Sequence, residues 1–185
     1  MSSKYLALVL ILDGCCIEAL QRAKTSCIDE IIDNGSYSFS CRSVYPTVTQ
    51  TAHTSIVTGS YPNVHGIVGN SFYDRVLRKV IDLEVMNVNN YILTKTIFED
   101  IVGLKVCIGE PVTKGADIVI PKTKIQSKEL FEQDVYALEE AVSIIRRCSP
   151  LLMFINLPGV DGVGEVYGPM SKELISHLET IDSLI

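Results

Sequence analysis

The sequence predicts an α/β domain built on a mainly parallel sheet sandwiched between helices. Three observations carry that expectation. Two apolar runs, residues 6–12 and 151–157, show no polar alternation, as expected of strands covered on both faces. Each runs into a turn, Asp13-Gly14 after the first and Pro158-Gly159 after the second. Stretches with helical apolar spacing and cap residues lie between and beyond them.

Residues 6–12 should form a central strand that ends at Asp13, and in open α/β sheets the carboxyl ends of the strands are where ligands bind. Asp13 there either presents a carboxylate or caps the next helix. Residues 17–33 place Ala19, Leu20, Ala23, Cys27, Ile28, Ile31 and Ile32 along one stripe, with Gly35 just past the end, which predicts one amphipathic helix. Residues 38–44 read as a second strand, and the following turn delivers Thr49 to the edge that carries Asp13. A short helical run from His53 to Thr58 stops at Gly59, so the hydroxyls of Thr47, Thr49 and Thr51 either cap its start or face an anion there.

Residues 83–88 look like a strand punctuated by Asn87, Asn89 and Asn90, and residues 94–102 look helical. Residues 105–108 and 117–120 are short apolar strands bounded by Gly, Pro and Lys. A helix is expected over 127–147, capped by Ser127 and closed by Arg146 and Arg147, whose charges suit a helix C-terminus. The strand at 151–157 should again be central and next to the first, and it leads into an acidic, glycine-rich loop over 160–169. Residues 171–185 form a last amphipathic helix, with His177 read as a packing residue and not a ligand.

The segment 45–74, YPTVTQTAHTSIVTGSYPNVHGIVGNSFYD, is rich in hydroxyls and poor in charge. Buried hydroxyls cost stability unless something uses them. In Thr49-Gln50-Thr51-Ala52-His53, Val57-Thr58-Gly59, Tyr61-Pro62, His65-Gly66-Ile67, Gly69-Asn70 and Tyr73-Asp74 it resembles the alkaline-phosphatase superfamily, most closely the type I phosphodiesterase and nucleotide pyrophosphatase branch. Further on, Asp161, Gly164, Tyr167, Gly168 and Pro169 match that superfamily's Asp-x-x-Gly-His-x-x-Gly-Pro segment, with Glu165 in place of the His. Thr51 stands where the branch carries Pro, and Ala52 where nucleotide pyrophosphatases carry an Asn that steadies a phosphoryl oxygen.

The resemblance implies a metal-dependent phosphohydrolase in which Thr49 is the nucleophile. Asp13 and Thr49 would serve one divalent ion, Asp161 and Glu165 the other, and Asn70 would contact substrate. Zinc is the implied metal, while a carboxylate at position 165 shifts preference toward Mn²⁺ or Mg²⁺. The family's later Asp-His-Gly segment and a further His have no counterpart in these 185 residues. The expectation is therefore one truncated, alkaline-phosphatase-like domain over 1–185, weak or inactive alone. A non-catalytic remnant, a phosphonate hydrolase and a phosphomutase of the same superfamily stand as alternatives.

Composition narrows the partners. A net charge of −6 and a pI near 5.1 argue against binding nucleic-acid polymers, which needs a basic face. The first apolar run is too short to span a membrane, and six cysteines with no CxxC spacing suggest free thiols in a cytoplasmic protein. A small phosphate ester is the expected substrate. The mean hydropathy of +0.27 adds an expectation of self-association.

Overall fold

The computed structural model describes residues 5–185. In chain order the elements are β1 (Ala7–Leu12), α1 (Ile17–Arg22), α2 (Ser26–Asn34), α3 (Thr49–Thr58), α4 (Pro62–His65), β2 (Ser71–Asp74), β3 (Lys79–Asp82), α5 (Ile97–Asp100), β4 (Lys105–Ile108), β5 (Ile118–Ile120), α6 (Lys122–Ile125), α7 (Gln133–Cys148), β6 (Leu152–Leu157), α8 (Gly159–Tyr167) and α9 (Lys172–Asp182). The main sheet runs β1-β6-β4-β5, and every pairing in it is parallel. β2 and β3 form a separate antiparallel hairpin.

β6 explains the sandwich. All six of its residues are buried. Met153, Ile155 and Leu157 point into one core with Val106 and Ile108 of β4 and with α7, α8 and α9; Leu152 and Phe154 point into a second with Cys107, Val57 of α3 and Phe98 of α5. Side chains alternate across a strand, so a continuous apolar run is what two covered faces require. Each large side chain buried this way contributes about 1.5–3 kcal/mol.

The strands at 6–12 and 151–157 are neighbours in register, Ala7 opposite Leu152 through Leu12 opposite Leu157. Only β6 is central. Among the described residues no strand pairs with the far side of β1, and Leu8 is 50 % exposed. An apolar run reports coverage of faces, not the presence of a lateral neighbour.

Several other expectations change for tertiary reasons. The helix over 17–33 is two helices, because side chains of α9 take the backbone donors freed at the break. Glu179 accepts from Lys24 N at 3.0 Å, and Asp182 accepts from Cys27 N and Ile28 N at 3.0 and 2.8 Å. Residues 38–44 are not a strand; they run exposed, and Ser38 Oγ accepts from Ser40 N, a local bond that competes with sheet pairing. The strand placed at 83–88 lies earlier, as β2 and β3, whose connection is set by Asp74 Oδ1 accepting from Val76 N and Leu77 N.

The helix expected over 94–102 is the single turn α5, held by a reciprocal capping box between Thr96 and Glu99. α7 begins at Gln133 and not at Ser127, whose hydroxyl instead donates to Lys124 O. Finally, the glycine-rich loop over 160–169 is mostly helix, α8. Asp134 Oδ1 accepts from its first N–H, Gly159 N, at 2.8 Å, a buried anion at a helix N-terminus.

Candidate active site

Asp13 follows β1, and its N–H donates to Leu157 O at 3.3 Å, which places it level with the end of β6. Asp161 lies in the first turn of α8, just after β6. The two acids face each other across Gly14. That residue has φ +70°, and a Cβ on it would lie 2.8 Å from Asp161 Cα and collide with the carboxylate, so only glycine lets the chains approach this closely. Glu165 sits four residues beyond Asp161 on the same helix face.

Thr49 is the first residue of α3, where backbone N–H groups and the helix dipole favour an anion. Four residues later, on the same face, comes His53. Its Nε2 lies 3.6 Å from Asp13 Oδ2, while its Nδ1 is 3.0 and 2.8 Å from the two oxygens of Glu110, just past β4. The chain of contacts Glu110–His53–Asp13 thus ties α3 to the carboxyl edge of the sheet. Asp13 and Asp161 come to one end of the sheet, and the helix that Thr49 opens reaches Asp13 through His53.

Charge at this edge is uneven. Burial alone would lower the pKa of His53, but Glu110 and Asp13 override it and raise it to about 10, so the ring is a cation at neutral pH. For Asp13 burial is the largest single effect and acts upward; His53, then Lys122 and Asn156, outweigh it and leave the carboxyl below its ordinary value. At Asp161 Lys122 alone acts downward and does not prevail. Burial, then repulsion from Asp13 and Glu165, pushes its pKa up.

The remaining polar groups of the motif have local uses. Asn70 Oδ1 accepts from Gln50 N at 3.1 Å, so the residue expected to touch substrate caps α3 in this structure. Thr54 and Thr58 donate back to Gln50 O and Thr54 O, each at 2.6 Å. His65 Nδ1 accepts from Ile67 N at 3.1 Å, which leaves Nε2 to donate to Ser55 Oγ at 2.8 Å and lock the α3–α4 turn. His177 is buried against Asp134, a packing role as expected.

Two participants were not assigned a role from sequence. For Glu110 the sequence does hold a signal: a carboxylate between Gly109 and Pro111, directly after an apolar strand, is placed for presentation at a sheet edge. His53 stood inside the motif with no stated function.

The mainly parallel sheet flanked by helices, with paired acids at its carboxyl edge, is an alkaline-phosphatase-like architecture. The chain belongs to the type I phosphodiesterase/nucleotide pyrophosphatase family, whose model matches residues 7–185. It is 29% identical over 166 residues to ectonucleotide pyrophosphatase/phosphodiesterase family member 1 of Mus musculus, a match covering 85% of this chain and 18% of that protein. Among solved structures, murine ectonucleotide pyrophosphatase/phosphodiesterase 5, as an inactive variant in complex with AMP, superimposes with a TM-score of 0.77 at 20% identity over 96% of this chain and 50% of that one. Phosphonoacetate hydrolase from Sinorhizobium meliloti in complex with phosphonoformate gives 0.75 at 22% identity, over 99% and 52%. The chain therefore spans about half of these solved chains and about a fifth of the curated relative.

The donors fit a divalent ion in kind: Asp13, Asp161 and Glu165 are hard oxygen ligands, and the raised pKa of Asp161 marks a crowding of acids that a cation would relieve. They do not by themselves enclose one. Among the described residues, no three His, Cys, Asp or Glu side chains form a group able to hold an ion.

Proposed function

We propose that this chain carries the nucleophile half of a metal-dependent phosphoric-ester hydrolase of phosphodiesterase type. The observation that supports it best is the contact series Glu110–His53–Asp13, which joins the helix led by Thr49 to the acids at the sheet edge. In this reading Asp13 and Thr49 hold one divalent ion and Asp161 and Glu165 hold the other. Bound there, the ions would polarise the phosphoryl group and neutralise charge on the attacking and departing oxygens.

Thr49 Oγ attacks phosphorus in line and gives up its proton, the P–O bond to the leaving alkoxide breaks and that alkoxide takes up a proton, and the remaining phosphoryl ester stays on Thr49 until water cleaves it. The α3 N-terminus stabilises the negative charge that develops beside it. His53 keeps the Asp13 carboxylate ionised and oriented, so Asp13 enters the cycle as an anion.

The substrate is a small phosphate ester. With Glu165 in the position of a family histidine, Mn²⁺ or Mg²⁺ should serve better than Zn²⁺ at that half of the site. Trapping tests the core of the reading: after incubation with bis(p-nitrophenyl) phosphate and Mn²⁺, mass spectrometry should find a p-nitrophenyl phosphoryl group on Thr49, whereas an unmodified Thr49 with undiminished hydrolysis would refute it. Glu165→His should move metal preference toward Zn²⁺. A chain that takes up no divalent ion at millimolar concentration would instead be a non-catalytic version of the fold. The open edge of β1, with Leu8 half exposed, supports self-association, which light scattering measures. Six cysteines without a disulfide among them support a reducing, cytoplasmic setting.

A further inference from the structure

A cavity of about 390 Å³ opens beside the nucleophile helix. Its wall includes Gln50, Glu84, Asn87, Glu110, Lys122 and Gln126. Gln50 directly follows Thr49, and Lys122 is close enough to act on the charges of both Asp13 and Asp161, so the cavity adjoins the acid edge.

Most polar groups in the wall are already committed. Glu110 is held by His53 and by Val112 N. Glu84 Oε2 is paired with Lys122 Nζ at 3.2 Å. Glu84 Oε1 accepts from Gln50 Nε2 at 3.3 Å, and because an ionised carboxylate only accepts, this bond sets which way the Gln50 amide faces. The consequence is that Gln50 presents its Nε2, and not its Oε1, to Glu84. Gln50 is 2 % exposed and its Oε1 has no hydrogen-bond partner among the described residues. An acceptor buried without a donor is destabilising, and native structures rarely keep one without a use.

The wall also lacks what a nucleobase needs. None of the residues lining the cavity is aromatic and none is arginine, so no flat surface is offered for stacking. Two carboxylates against one lysine disfavour a second anionic group.

We propose that this cavity receives the organic group of the phosphoester, and that it selects a small, uncharged group rich in hydroxyl donors, such as a polyol, over a nucleoside. A hydroxyl of that group donates to Gln50 Oε1 while the phosphate lies at Thr49. The inference rests on the phosphoester reading above and adds the substrate class to it.

Calorimetric titration of the intact chain in Mn²⁺ with glycerol 1-phosphate, AMP and methyl phosphate tests it without requiring turnover. Glycerol 1-phosphate should bind about tenfold more tightly than methyl phosphate, the equivalent of one added hydrogen bond, and more tightly than AMP. In Gln50→Met, which keeps the length of the side chain and removes the acceptor, the advantage of glycerol 1-phosphate over methyl phosphate should vanish. AMP binding more tightly than glycerol 1-phosphate overturns the proposal, as does a tenfold preference that survives in Gln50→Met. The wild-type ranking decides even if the variant folds poorly. Methyl phosphate that binds while all three ligands bind equally defeats the polyol assignment alone; failure of all three to bind defeats the phosphoester reading with it.

Discussion

Two buried histidines in this molecule each hold a carboxylate at close range, His53 with Glu110 at 2.8 Å and His177 with Asp134 at 2.9 Å. Their settings differ. His177 joins α9 to Asp134 of α7, and Asp134 in turn accepts from the first N–H of α8, so that pair fastens three helices in the layer beneath the sheet. His53 is shared between two carboxylates, and the second, Asp13, stands at the carboxyl edge of the sheet beside Asp161. A buried His–carboxylate pair is thus no sign of chemistry in itself. What distinguishes the two is whether the far end of the pair reaches a strand terminus where a ligand can lie.

Thr49 opens the helix that carries His53. Thr49→Ala should reduce phosphodiester turnover on the order of 10⁴-fold or more, the scale seen when a nucleophile is removed, with little change in the thermal midpoint. Residual turnover within tenfold of the parent would mean that the edge joined to His53 is not where the reaction occurs.

The opposite signature belongs to the other pair. Asp134→Ala leaves the Gly159 N–H and His177 without their acceptor and should destabilise the fold by about 3–5 kcal/mol, read as a lower urea midpoint. A stability loss under 1 kcal/mol would show that the α7–α8–α9 junction does not depend on it.

Glu110→Gln should fall between. Loss of the carboxylate that orients His53 is expected to weaken Mn²⁺ affinity or turnover by about 10–100-fold, with a smaller loss of stability than Asp134→Ala. If metal affinity stays constant while stability collapses, the two pairs are equivalent and the distinction fails.

The smallest effect is on pH dependence. The His53 pKa is raised from an unfolded value of 6.5 to about 10 in the fold. Its ion pairs therefore contribute fully below about pH 6.5, and that contribution is lost as pH rises through about 10. Urea titrations in EDTA should show stability declining between neutral pH and pH 10, and His53→Gln should flatten that decline. A slope unchanged in the variant would assign the decline to other groups.

Much of the frame is legible because it rests on short-range rules. The apolar runs at β1 and β6, the helix stop at Gly59 with its left-handed φ of +63°, and the Ser171 cap that accepts from Leu174 N are each decided by neighbours in the chain. The Thr49, Asp13 and Asp161 positions are legible too, since each directly follows a strand signal or opens a helix. Glu110 is less so, because its role depends on which residue of a distant helix arrives opposite it.

Side-chain period and local caps suffice for the parallel α/β class, the two covered faces of β6 and the placing of Asp13 and Asp161 just after their strands. What only the tertiary structure decided is where backbone groups far apart in sequence find partners. Asp182 and Glu179 of α9 split the helix at 17–33, Asp134 turns an expected loop into α8, and β1 lies at the edge of the described sheet. The physical reason is common to all three: a hydrogen bond between distant segments, or the lack of one, outweighs a local propensity worth well under 1 kcal/mol per residue.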